Sequence, residues 1–140
     1  MLNKIPKILS PELVKILMEM GHSDEIVIAD GNFPAASIAQ RLIRADGHNV
    51  PELLEAILEL FPLDTYEKPV FLMEKTVNDP VATPIWDVYK DIVKEHTQSQ
   101  VEHIERFAFY ERAKKAYCVI AAGEKALYAN IILKKGVVVE

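Results

Sequence analysis

Five side chains in this sequence have the types and positions to do chemistry: His22, Asp30, Arg106, Tyr128 and Asn130. His22 follows Gly21 at the end of an amphipathic segment, and Asp30 closes the apolar run Glu25-Ile26-Val27-Ile28-Ala29. One short element joins the two, so the spacing allows them to meet at one edge of a sheet. An imidazole with a reference pKa of about 6.5 can give or take a proton near neutral pH. A carboxylate just past the C-terminal end of a buried strand lies where open α/β sheets bind ligands. The plainer readings are a helix-terminal cation favoured by the dipole for His22 and a turn cap for Asp30.

Arg106 lies in the tract Glu105-Arg106-Phe107-Ala108-Phe109-Tyr110-Glu111-Arg112. Sugar rings pack their C–H faces on aromatic side chains, and a guanidinium fork grips neighbouring hydroxyls. The alternative is a core-lining strand with ion-paired neighbours. Tyr128 and Asn130 are two apart in an expected strand, so they share a face. Together they offer hydroxyl, carbonyl and amide groups, which suits a polyhydroxyl ligand. The alternative there is a solvent-facing pair on an edge strand.

Other machinery is missing from the sequence. It holds no glycine-rich phosphate loop, nucleophile elbow or metalloprotease helix. Cys118 is the single cysteine and sits in an apolar run, so it reads as a small core residue. His48, His96 and His103 lie in polar contexts without metal-ligand spacing and read as surface or loop residues.

The elements that must position these groups follow from periodicity. Ser10-Pro11-Glu12 opens a helix whose stripe is Leu13, Ile16, Leu17 and Met20, with Gly21 as its stop. Residues 25–30 read as a strand covered on both faces. A short strand follows over 41–47, and Asn49-Val50-Pro51 opens a helix carrying Leu53, Leu54, Ile57, Leu58 and Phe61. Val70-Phe71-Leu72-Met73 is a further strand, and Thr83-Pro84 opens a helix with Ile85, Val88, Tyr89, Ile92 and Val93 on one side. The spacing predicts an extended segment over 101–107 and a short helix over 110–116. Two strands, 117–122 and 128–133, are expected to pair as an antiparallel hairpin. Helices alternating with apolar strands define an α/β class, a mixed sheet flanked by helices.

The chain has 140 residues with 16 Lys+Arg against 21 Asp+Glu, a net charge of −5. That length suits one compact domain over 1–140, large enough to fold without disulfide or metal. Mild acidity without a basic stripe argues against a nucleic-acid or anionic-membrane partner. No apolar run approaches the ~20 residues of a membrane helix, and the N-terminus lacks a signal core. A soluble, cytoplasmic protein is the expectation.

Six strings sharpen this reading: Ile8 to Leu13, Gly21 to Ile26, Ala29 to Pro34, Ile43 to Gly47, Arg106 to Ala113 and Tyr128 to Gly136. In these segments the sequence resembles the fucose mutarotase branch of the fucose mutarotase and ribose pyranase family, in register over essentially the whole chain. The resemblance implies a compact α/β subunit that assembles into a ring-shaped homo-oligomer, a decamer by expectation, with sites at subunit boundaries. It implies no metal and no cofactor. The implied reaction is interconversion of the α and β anomers of a reducing sugar, L-fucose in this branch.

By the same resemblance His22 is the catalytic residue, with Asp30 and Arg106 as sugar-binding residues. Tyr128, Ala129 and Asn130 form a C-terminal binding segment, in which Ala129 stands where many members have glycine. Asp30 would orient His22 or bind a hydroxyl. Segment 74–100 matches members least and inherits nothing. The competing functions are a D-ribose pyranase, which needs the same ring opening, a sugar-binding module without catalysis, and a purely structural oligomer.

Overall fold

The first helix begins where Ser10 and Pro11 direct it. The Ser10 hydroxyl oxygen accepts the Leu13 amide at 3.1 Å, and α1 spans Pro11–Glu19. The structure, a computed structural model, describes residues 1–140. After α1 come β1 (Glu25–Ala29), α2 (Ala35–Ile38), β2 (Leu42–Ala45) and α3 (Val50–Leu58). Then follow β3 (Val70–Met73), α4 (Pro84–Val93), β4 (Glu102–Ile104), α5 (Arg106–Lys115), β5 (Cys118–Ala122) and β6 (Ile131–Lys134). α3 starts in a reciprocal cap: Asn49 accepts from the Glu52 amide at 3.1 Å, and Glu52 accepts from the Asn49 amide at 2.9 Å.

The strands form one mixed sheet in the order β2-β5-β1-β6-β3-β4. β1 lies inside it, parallel to β5 and antiparallel to β6. Its side chains alternate between two cores, as a period of two requires. Ile26 and Ile28 join the larger core with Leu13, Leu53, Ile57 and Tyr89, which come from α1, α3 and α4. Val27 and Ala29 join the smaller core with Phe109 and Ala113 of α5 and Ala35 of α2. The sheet is therefore covered on both faces. α5 is tied across β1 and β3: Arg112 grips Glu25 with two bonds of 2.8 and 2.7 Å and lies 3.8 Å over the Phe71 ring.

Three expectations are corrected. The 117–122 and 128–133 strands do not form a hairpin, because β1 is inserted between β5 and β6. All three strands are apolar and buried on both faces, so the local pattern does not select which neighbours pair. The extended segment over 101–107 shrinks to β4, and the helix begins at Arg106, well before residue 110. Its start is set by Glu105, whose carboxylate accepts the Phe107 and Ala108 amides at 2.9 and 3.0 Å. A carboxylate cap in front of an aromatic run is masked by the run's strand-like composition. Finally, β6 begins at Ile131, so Tyr128 and Asn130 precede the strand.

The turns tolerate little extra volume at one crossing. A Cβ added at Gly123 would sit 1.9 Å from the Asp46 carbonyl oxygen, so only glycine allows β5 to leave the sheet there.

Candidate active site

The C-terminal ends of β1 and β3 and the start of β6 lie at the same edge of the sheet, since β6 runs antiparallel to both. A cleft of about 230 Å³ opens there. This is smaller than typical pockets for drug-sized ligands and suits a molecule of single-ring size. Asp30, Arg106, Tyr128 and Asn130 all line it. Phe33, Met73 and Leu127 supply apolar wall, and Tyr110 stands edge-on to Phe33 at 5.6 Å. A larger groove of about 670 Å³ beside Lys90 to Val101 is polar too, but no aromatic side chain lines it, whereas the cleft sets polar groups against the rings of Phe33 and Tyr110.

Asp30 is buried and held from three directions. Its two carboxylate oxygens accept the amides of Asn32 at 3.0 Å and Ala129 at 3.2 Å. Its own amide donates to the Asn130 side-chain oxygen at 2.7 Å. Burial pushes the Asp30 carboxyl above the usual carboxylate range, helped by the charge of Glu124 and opposed by the amides of Ala129, Asn32 and Phe33. A carboxyl raised in this way changes protonation closer to neutral pH, which suits proton transfer. Because the Asn130 carbonyl is taken by Asp30, its amide NH₂, which bonds nothing within the chain, is left to donate into the cleft.

Arg106 occupies the first position of α5, an unfavourable place for a cation beside the positive end of a helix. Its guanidinium makes no ion pair or hydrogen bond in the chain and rests 4.7 Å from the Phe107 ring centre. The fork therefore remains available to oxygen atoms in the cleft.

Tyr128 has φ +53°, a left-handed conformation that costs a non-glycine residue about 1–3 kcal/mol. α4 holds it there. Trp86 Nε1 donates to the Tyr128 carbonyl at 2.7 Å, and the Tyr89 hydroxyl donates to the Ala129 carbonyl at 2.8 Å. Ala129 is fully buried, its side chain packs in the larger core, and its amide reaches Asp30. The Ala129 methyl group is thus turned away from the cleft.

His22 is elsewhere. It precedes β1, whereas Asp30 follows it, and the strand alone spans roughly 16 Å. The expectation that Asp30 orients His22 is overturned within one chain. The partner is Asp64, whose Oδ1 lies 3.0 Å from His22 Nε2, with the Tyr66 ring centre 5.4 Å from the imidazole. Burial pushes the Asp64 carboxyl up, but the bond from His22 and the amides of Tyr66 and Glu67 outweigh it and hold it low. Imidazole and carboxylate are 42 positions apart in sequence. The two approach because Leu63 bridges to Lys135 and Ser23 bonds the Lys135 carbonyl at 2.9 Å.

Sequence reasoning missed Asp64, Thr76, Asp79, Trp86 and Tyr89. None lies in a recognisable motif. Asp79 alone carried a local signal, the turn-forming Asn78-Asp79-Pro80. Cys118 is fully buried, and burial pushes its thiol up to about 12, in keeping with a core role. No three His, Cys, Asp or Glu side chains converge as metal ligands, and no helix is long and apolar enough to cross a membrane.

Fold and cleft together define the class: a helix-covered mixed-sheet protein with a polar, ring-walled pocket at its strand ends. The chain belongs to the RbsD / FucU transport protein family, whose model matches residues 3–138. It is 50% identical over 144 residues to the fucose mutarotase of Danio rerio, covering 98% of this chain and 94% of that protein. It is similar in structure to FucU from Bifidobacterium longum, with 60% identity, a TM-score of 0.94 and coverage of 96% and 99%. It is likewise similar to the fucose mutarotase of Streptococcus pneumoniae in complex with L-fucose, with 52% identity, a TM-score of 0.94 and coverage of 99% and 100%. The family membership and fold implied by the motifs are both met.

Proposed function

We propose that this protein is a fucose mutarotase, an isomerase that interconverts the α and β anomers of L-fucose. One observation carries the reading: a carboxyl, an unpaired guanidinium, a phenol and a free amide NH₂ converge on a ring-sized cleft, in a chain 52% identical to a fucose mutarotase solved with L-fucose.

The reaction needs modest help, because mutarotation already proceeds in water. A base removes the proton of the anomeric hydroxyl while an acid protonates the ring oxygen and the ring C–O bond breaks. The open aldehyde rotates, and the reverse steps close the ring on the other face. General acid–base groups contribute roughly 10²–10⁴-fold to such steps. Asp30 binds a hydroxyl and exchanges protons with it. Arg106 grips hydroxyls and steadies oxygen as it gains charge. Asn130 donates its amide, and the Phe33 wall receives the C–H face of the sugar.

His22 remains the proposed catalytic proton carrier, and it acts across a subunit boundary. In one chain it stands at the far end of β1 from the cleft, so it reaches a cleft only in a neighbouring copy. A ring-shaped homo-oligomer, with the decamer as the expected ring, supplies that neighbour. Met1, Leu2 and Met18 form an exposed apolar face that supports self-association. No metal or cofactor enters this scheme, and a cytoplasmic location fits it.

Saturation-transfer NMR of anomer exchange on fucose, galactose and ribose tests the reading. Fastest exchange on fucose is expected; no enhancement over buffer on any sugar overturns it. Mixing His22→Ala with Arg106→Ala subunits tests the boundary. Each variant alone is slow, and the reassembled mixture regains activity. A mixture as slow as its parts removes His22 from a shared site.

A further inference from the structure

Thr76 and Asp79 come from the connection after β3 and border the same cleft. Neither helix nor strand includes them, and no motif marks them. Both reach the Tyr128 hydroxyl. That hydroxyl lies 2.5 Å from Asp79 Oδ2 and 3.2 Å from Thr76 Oγ1, and its oxygen accepts the Thr76 amide at 3.3 Å. The other Asp79 oxygen accepts the Val81 amide at 3.0 Å, which stops the carboxylate from rotating away.

The proton count decides what Tyr128 can do. A phenol carries one proton, and an ionised carboxylate only accepts. At 2.5 Å this is a short, charge-assisted bond, so the proton lies on the line to Asp79. The Thr76 amide can only donate, so it fixes the phenol oxygen as an acceptor on a second side. Thr76 Oγ1, at 3.2 Å, is the longer and weaker alternative acceptor for the phenol's proton, so the carboxylate takes it.

We propose that Asp79 is a positioning residue that makes Tyr128 an acceptor, not a donor, toward a sugar hydroxyl in the cleft. This rests on the mutarotase reading and extends it to a segment to which the sequence motifs assign nothing. The left-handed backbone of Tyr128, pinned by Trp86, fixes where the ring stands, and Asp79 fixes where its proton points. Ring and proton are thus set by two separate parts of the 76–89 segment.

A double-mutant cycle with Asp79→Ala and Tyr128→Phe tests this, read as kcat and KM for anomer exchange. Asp79 lies on an irregular surface loop, so its variants are expected to fold, which thermal melting checks. Each single variant should lower kcat/KM by about tenfold, the effect of one oriented hydrogen bond. The double variant should be no slower than Tyr128→Phe alone, because Asp79 acts only through the phenol oxygen. Asp79→Asn keeps an acceptor and should recover most of the loss. Multiplying effects in the double variant overturn the proposal, since Asp79 would then act only by shaping its loop. An unaffected Asp79→Ala also overturns it. An unaffected Tyr128→Phe overturns it too, and loss of exchange in Arg106→Ala would then leave the wider mutarotase reading standing.

Discussion

His22 and Asp30 stand at opposite ends of β1, one held by Asp64 and the other by the amides of Asn32 and Ala129. The pair that sequence spacing suggests as neighbours is separated by the element that joins them. On the proposed reading, the proton-carrying role of His22 is therefore separable by mutation from sugar binding in the cleft. His22→Ala should slow anomer exchange by about 10²–10⁴-fold while fucose affinity changes little. Saturation-transfer NMR and calorimetric titration check the two quantities.

Asp30→Asn should lose both activity and stability. Both carboxylate oxygens accept backbone amides, and an asparagine would turn an NH₂ toward one of those donors. One mismatched buried donor costs about 1–3 kcal/mol, measurable as a lower urea midpoint.

The pH dependence has a definite sign. The folded Asp30 carboxyl lies above its unfolded value. Its contribution to stability is thus fully present below the ordinary carboxylate pKa and is lost as pH rises through the folded value. Asp64 runs the other way: its folded value is lowered, so its contribution holds above the ordinary carboxylate pKa and is lost as pH falls through the folded value. Asp64→Asn should flatten the acid side of the stability curve, and ¹³C carboxyl NMR titration should show the two groups displaced in opposite directions.

Trp86→Phe removes the donor to the Tyr128 carbonyl and should cost about 1–3 kcal/mol of stability. Because Tyr128 then relaxes from its left-handed backbone, KM should rise more than kcat falls. Steady-state exchange measured across fucose concentrations separates the two.

Glu105→Ala removes the carboxylate cap of α5 and should lower the melting temperature. The loosened residue is Arg106 at the first helical position, so fucose binding should weaken along with the melting temperature. Unchanged binding would mean that the helix start does not position the guanidinium.

Much of the frame is legible in the residues themselves. Ser10-Pro11, Asn49-Val50-Pro51 and Thr83-Pro84 mark three helix starts, because cap residues and a proline in the first turn act over three or four positions. The expected strands over 25–30, 70–73 and 117–122 appear as β1, β3 and β5, and the one over 128–133 is reduced to β6, which starts only at Ile131. Arg106, Tyr128 and Asn130 do share a cleft with Asp30, though by way of a helix start and a loop and not through a strand face.

The sequence by itself determined the α/β class, the local helix and strand signals and, through its motifs, the family. Only the tertiary structure decided that β1 separates β5 from β6, that His22 belongs with Asp64, and that Asp79 meets Tyr128. Caps and periodicity are short-range and written in neighbouring residues. Strand order and the meeting of side chains 42 or 49 positions apart depend on how buried faces pack, and many apolar strands satisfy that packing equally well in isolation.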